Sequence, residues 1–237
     1  MIKYFKGAML LATVFCTIIS CSSPKEKRQP LPFDPSHSDP AAVELVDSVV
    51  SAAGGVKAWD DARYFSWTSA AERKIFWDKH NSKVRIESAN ELYLIDLNDS
   101  IVQIKGKEKT TLEDVSNAFA VFNECAQELA LPFLLKQFGS TLVYLGEDSL
   151  SDGTRVNVLN HKPASDTSLT LTVHIGVKDN LIKQVVKNRK GETTTNSGFW
   201  DNYKEYNNLL LSVDRTSGSG PKNLSTEAID ENKFVNF

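Results

Sequence analysis

The sequence predicts an α+β domain in which a curved antiparallel sheet wraps around a few helices. Three observations carry this reading. Short runs with period-two or β-branched and aromatic character recur from residue 63 onward, a helical stretch with one apolar face interrupts them, and one further helix precedes them all. Antiparallel meanders with one apolar face have to cover it, and these two helical segments are the only elements available to do so.

Composition agrees with a packed protein. The chain of 237 residues is 41% hydrophobic, 24% charged and 9% aromatic, which excludes disordered and collagenous classes. Its 27 basic and 30 acidic side chains give a net charge of −3 without any block of five like charges, which argues against a nucleic-acid partner.

The first element in the chain is an address. Residues 1–20 begin with two positive charges, Lys3 and Lys6, followed by an uncharged run at 7–20 that includes Thr13, Thr17 and Ser20. Crossing a bilayer takes about 20 apolar residues, so this shorter run reads as a secretory signal. Its end, Thr17-Ile18-Ile19-Ser20-Cys21, resembles the lipobox of bacterial lipoproteins, where cleavage leaves the cysteine as an acylated first residue. That resemblance implies lipid attachment at Cys21. Anchoring by two or three chains is stable where one is marginal, at about 0.8 kcal/mol per buried methylene. Ser22 stands where an inner-membrane retention signal would place Asp, so the implied destination is the outer membrane, facing the periplasm or the outside.

Processing would leave 217 residues carrying 25 basic and 30 acidic side chains. Cys16 departs with the signal and Cys21 goes to lipid, so Cys125 stands alone and a packed core has to hold the fold. Residues 21–39, with Pro24, Pro30, Pro32 and Pro35, read as a tether. At about 3.1 Å per residue, roughly 18 residues reach up to about 55 Å from a lipid surface.

A single domain is expected over residues 40–237. Asp39 can cap a first helix with Pro40 in its first turn and Ala42, Val43, Val46, Val49, Val50 and Ala53 along one face, ended by Gly54-Gly55. Five strands follow at 63–68, 73–77, 83–87, 91–97 and 100–105, with 79–81 and 98–99 as turns. Thr110 with Glu113 can form a capping box for a second helix whose apolar face runs to Leu131-Pro132, followed by a short helix at 133–138. Strand character returns at 141–145, 155–159, 169–177, 181–187, 198–206 and 209–215. Residues 216–228 read as a loop, and a small strand closes the chain at 234–237.

Chemistry is sparse. His37, His80, His161 and His174 fall in unrelated segments, so no metal is expected. The residues show no nucleophile elbow, no phosphate loop and no isolated acid–base pair, and Cys125 on the helical insert reads as an inert buried thiol. No enzyme activity and no cofactor are expected.

In element order the chain resembles the superfamily of outer-membrane lipoprotein-sorting proteins. The local points are the helix ending in Gly54-Gly55 before Trp59, Leu131-Pro132-Phe133-Leu134-Leu135 after the insert helix, Asp152-Gly153 before Arg155-Val156-Asn157-Val158-Leu159, and Trp200-Asp201-Asn202-Tyr203-Lys204-Glu205-Tyr206. The resemblance implies a half-open antiparallel β-barrel covered by helices, with a hydrophobic cavity able to hold acyl chains. The soluble carrier of that superfamily is not lipidated, so this chain stands nearer the anchored acceptor or other lipid-binding lipoproteins.

Within that frame Trp67, Trp77, Phe119, Phe122, Leu134, Leu135 and Phe138 are the candidate cavity lining; alternatively they fill an ordinary core. The expected partners are a membrane, through the N-terminal acyl chains, and a hydrophobic ligand, either a lipid or the acyl group of another lipoprotein. The alternative is an envelope interaction module with a packed core that holds a protein or glycan partner. Leu209-Leu210-Leu211 reads either as an exposed contact or as a buried strand.

Overall fold

A computed structural model describes residues 31–193 and 196–237. The expected signal, Cys21 and the start of the tether lie outside the described residues. The end of the proline-rich segment is bound to the domain: after a single 3-10 turn at Pro35–His37, the Asp39 N–H donates to the Leu142 carbonyl, and the Leu142 N–H donates to Ser38 Oγ.

Helix α1, Pro40–Ala52, starts on a proline as expected, but the Asp39 side chain does not cap it. That carboxylate accepts from the Tyr144 N–H at 3.0 Å instead, which fixes the incoming chain against the strand rather than against the helix. Ala42, Val46 and Val49 form its buried stripe. Gly54 follows with φ +114°, where a Cβ would run into the Asn208 carbonyl, so only glycine lets the helix end lie this close to that turn. The second glycine opens a short helix, α2, Gly55–Asp61.

The five early strands form where the period-two pattern places them: β1 Tyr64–Thr68, β2 Lys74–Asp78, β3 Lys83–Glu87, β4 Leu92–Asp96 and β5 Ile101–Ile104. Register lines up Phe65, Trp77, Val84, Ile95 and Val102 in one row across the sheet. A second row runs through Trp67, Ile75, Ile86, Tyr93 and Ile104. Both rows face helix α3, Leu112–Leu134, and bury against Ala118, Phe122, Cys125, Ala126 and Leu129.

Helix α3 departs from expectation at both ends. Its capping box is Thr111 with Asp114, one position later than predicted: Thr111 Oγ1 accepts from the Asp114 N–H, and Asp114 Oδ2 accepts from the Thr111 N–H. Thr110 is occupied elsewhere, donating to the Val102 carbonyl of β5. The predicted break at Leu131-Pro132 is a kink, with Ala130 at φ −124° and ψ 22°, and the helix resumes through Pro132 to Leu134. Proline suits the first turn of the resumed segment, where its missing N–H costs little. The separate helix expected at 133–138 is therefore only the tail of α3.

Beyond the kink, Leu131 and Leu135 belong to a second core with α1 and a second sheet. That sheet orders β10-β9-β8-β7-β6, from β6 Thr141–Ser149, β7 Arg155–Lys162, β8 Leu169–Gly176, β9 Ile182–Arg189 and β10 Asn196–Phe199. Register shifts in β6 between Tyr144 and Gly146, and in the β8–β9 pair between His174 and Ile175, bend it. The strand predicted at 198–206 is interrupted at Trp200-Asp201-Asn202, and β11 Tyr203–Tyr206 pairs with β12 Leu209–Ser212 as a separate hairpin. Leu209 and Leu211 are buried in the first core, so the leucine run is a buried strand.

Two further expectations are corrected near the C-terminus. The predicted loop 216–228 contains β13, Lys222–Ser225, which pairs with β1 at the edge of the first sheet. The predicted terminal strand is instead a 3-10 turn at Glu231–Phe234. It is strapped across the outer face of that sheet by Arg85, which donates to the Lys233 and Asn236 carbonyls, and by Lys233 over the Phe76 ring.

Candidate functional site

The first core is aromatic. Trp59 of α2 stacks on Phe133 at 4.6 Å between ring centres, and Trp77 of β2 meets Phe122 of α3 edge-on at 5.3 Å. Flat rings meeting edge-on leave angular gaps. At one side they leave an open cleft of about 500 Å³. Its apolar wall is Trp77, Leu97 from the turn after β4, Phe119, Phe122 and Ala126 from α3 before the kink, and Leu134 from α3 after it.

Four of the seven residues singled out in the sequence thus come together: Trp77, Phe119, Phe122 and Leu134. The other three lie elsewhere. Trp67 is 2% exposed inside the first core, Leu135 is fully buried in the second, and Phe138 is 54% exposed past the end of α3. Consecutive leucines at 134 and 135 point about 100° apart on a helix, which sends one to the cleft and its neighbour to the other core. Leu97 and Ala126 were missed. Ala126 falls four residues after Phe122, on the same stripe, so the helical pattern could have found it; Leu97 sits in a turn and carried no such signal.

Neutral polar groups complete the rim. Asn123 and Gln127 stand one turn apart on α3, and Asn98, Gln137, Ser82, Ser100 and Ser165 surround the mouth. The indole N–H groups of Trp77 and Trp67 are buried without a hydrogen-bond partner among the described residues.

The Cys125 thiol of α3 is held in its neutral form. Burial pushes the Cys125 thiol up to about 12, with nearby Glu128 adding to the effect, so it stays protonated and a poor nucleophile. Among the described residues no group of three or more His, Cys, Asp or Glu is placed to hold a metal ion, and no helix is long and apolar enough to cross a membrane.

Two other cavities flank α3, and both are charged. One of about 320 Å³ lies beside Trp200, Leu131, Glu128 and Lys187. The Glu128 carboxyl is raised above its ordinary range by burial, although the Ala70 N–H donates to it at 3.2 Å. The other, of about 570 Å³, is bordered by Asp166, Lys187, Arg189 and Glu192.

No protein-family model matches the chain, and no curated protein matches it. Among solved structures it is similar to an outer membrane lipoprotein-sorting protein domain from Vibrio parahaemolyticus, at 10% identity and a TM-score of 0.40, over 82% of this chain and 96% of that one. A DUF1329 family protein from Desulfovibrio piger is similar at 11% identity and a TM-score of 0.40, over 83% of this chain and 98% of that one. MucB is similar at 12% identity and a TM-score of 0.29, over 83% of this chain and 62% of its own length. At such identities and TM-scores no residue role passes from these proteins to this chain. The chain's own architecture is α+β: among the described residues it has antiparallel sheets, three α-helices and no closed barrel.

Proposed function

We propose that this protein is a non-enzymatic envelope lipoprotein, anchored through acylated Cys21, whose domain binds a hydrophobic moiety in the cleft of Trp77, Phe119, Phe122 and Leu134. The ligand class is a lipid or the acyl group of another lipoprotein. One observation carries the reading: apolar side chains from β2, from a turn and from both sides of the α3 kink surround about 500 Å³ that the described residues leave open. Small-molecule sites typically measure about 300–1,000 Å³. Each methylene buried there contributes about 0.8 kcal/mol, so affinity would follow chain length more than any single contact.

The test uses the full chain held in amphipol, free of competing detergent. Native mass spectrometry is expected to find retained lipid, and the uncharged dye Nile red is expected to bind saturably and to be lost in Phe119→Lys. A ligand-free chain that also ignores Nile red overturns the reading. A second reading, an interaction module for a protein or glycan partner, is favoured by Phe138, which stands 54% exposed next to the cleft-lining Gln137. Dye binding that survives Phe119→Lys but falls in Phe138→Ser would turn the preference toward it.

A further inference from the structure

We propose that the cleft selects amphiphiles whose polar end is uncharged, such as an acylglycerol ester, over the same chain ending in an ionised carboxylate. The inference rests on the reading of the cleft as a hydrophobic binding site and adds the chemistry of the ligand's head.

None of the described residues lining the cleft is ionisable. Beyond the apolar wall the lining consists of four carboxamides, Asn98, Asn123, Gln127 and Gln137, and the hydroxyls of Ser82, Ser100 and Ser165. Carboxamides and hydroxyls both donate and accept hydrogen bonds without charge, which complements ester carbonyls and glycerol hydroxyls.

The charged residues next to these in sequence are engaged elsewhere. Lys83, beside Ser82, pairs with Asp96 across the sheet. Lys136, beside Gln137, pairs with Asp47 of α1 at 2.6 Å, and Glu124, beside Asn123, pairs with Arg73 at 3.7 Å. Asp166, beside Ser165, pairs with Arg189.

A ligand carboxylate entering this cleft would shed water with no cation in the lining to replace it, whereas an ester sheds far less. The neighbouring cavities sharpen the contrast, since Lys187 borders both of them and Arg189 borders one. Cations therefore border both neighbouring cavities, one of which shares Asn123, Gln127 and Ser165 with the cleft, and are missing from the cleft's own lining.

The experiment displaces Nile red from the full chain in amphipol with monooleoylglycerol and with sodium oleate, at about pH 8, where carboxylates are ionised. Monooleoylglycerol is expected to bind about tenfold more tightly or better, because a buried unpaired charge is costly. Gln127→Lys, or Asn123→Lys should that variant fold poorly, adds a cation to the lining and is expected to close the gap by strengthening oleate binding. Oleate binding as tightly as the ester in the unaltered chain overturns the inference while leaving the cleft a hydrophobic site. An unchanged ratio in a folded lysine variant also overturns it. If neither lipid displaces the dye, the reading of the cleft fails as well.

Discussion

The two cores of this molecule share one helix and pack in opposite ways. The first, between α3 and the β1–β5 sheet, is built from rings, including Phe65, Trp67, Trp77, Tyr93 and Phe122, and leaves a cleft. The second, between α1, the end of α3 and the β6–β10 sheet, is built almost wholly from branched aliphatic side chains such as Val46, Leu159, Val173 and Ile175. Aliphatic chains interdigitate to near crystal density, while large rings with few rotamers cannot fill every gap they create. The difference teaches that the apolar cleft belongs to the aromatic side of α3, whereas the cavities that touch the aliphatic core, beside Leu131, Leu171 and Trp200 or beside Leu169, carry charged residues in their lining.

The sharpest way to break this comparison is the adjacent pair Leu134 and Leu135. Leu135→Ala empties a fully buried site in the second core and is expected to cost about 3 kcal/mol of stability in urea unfolding. Leu134→Ala only enlarges a cleft that is already open, so it is expected to cost about 1 kcal/mol or less while weakening Nile red binding. Equal costs for the two would show that the cleft is closed in solution.

The second core also holds a buried titratable group. His161 on β7 is 2% exposed, aligned with Leu142 on one side and Leu171 on the other, and neither ring nitrogen has a partner among the described residues. Burial lowers its pKa from 6.5 to about 4. The imidazole is therefore neutral in the folded state, and between those values the unfolded chain binds more protons. Stability is complete above pH about 6.5 and declines as pH falls toward about 4, by roughly 3 kcal/mol in all. His161→Leu is expected to flatten the unfolding free energy across that window. An acid limb as steep as in the unaltered protein would assign the loss to other groups.

Much of this architecture was legible in the residues. The alternation of Leu169, Leu171, Val173 and Ile175 against Thr170, Thr172 and His174 is the burial pattern of β8, and the five early strands start within a residue of their predicted positions. What failed was governed by contacts distant in sequence. β13 has four residues, Lys-Asn-Leu-Ser, with Asn223 at φ +52°, and only its pairing with β1 makes it a strand. The division of the strands into two main sheets carries no local signal, whereas the kink at Ala130 falls where Leu131-Pro132 marks a break. For the cleft, the helical stripe exposed Phe119 and Phe122, but nothing local could say that Leu134 would face them and Leu135 would face away.

The smaller effect concerns the joint between the cores. Pro132 has no N–H to offer the carbonyl of Glu128, four residues earlier, so the kink leaves that oxygen without its helical donor. Arg215 supplies one: its Nη2 donates to the Glu128 carbonyl at 2.6 Å, while its guanidinium lies 3.7 Å over the ring of Trp200 in the second core. Arg215→Met is expected to cost about 2 kcal/mol, from a half-buried carbonyl left unsatisfied, a lost hydrogen bond to Ser212 Oγ and a lost cation–π contact. Pro132→Ala restores a backbone N–H able to take that carbonyl, so in its background Arg215→Met is expected to cost about 1 kcal/mol less. Urea unfolding of the four members of this cycle reads the coupling directly. A coupling near zero would mean that Arg215 serves Trp200 and Ser212 rather than the kink, and the aromatic and aliphatic halves would then be joined at α3 by packing without this polar bridge.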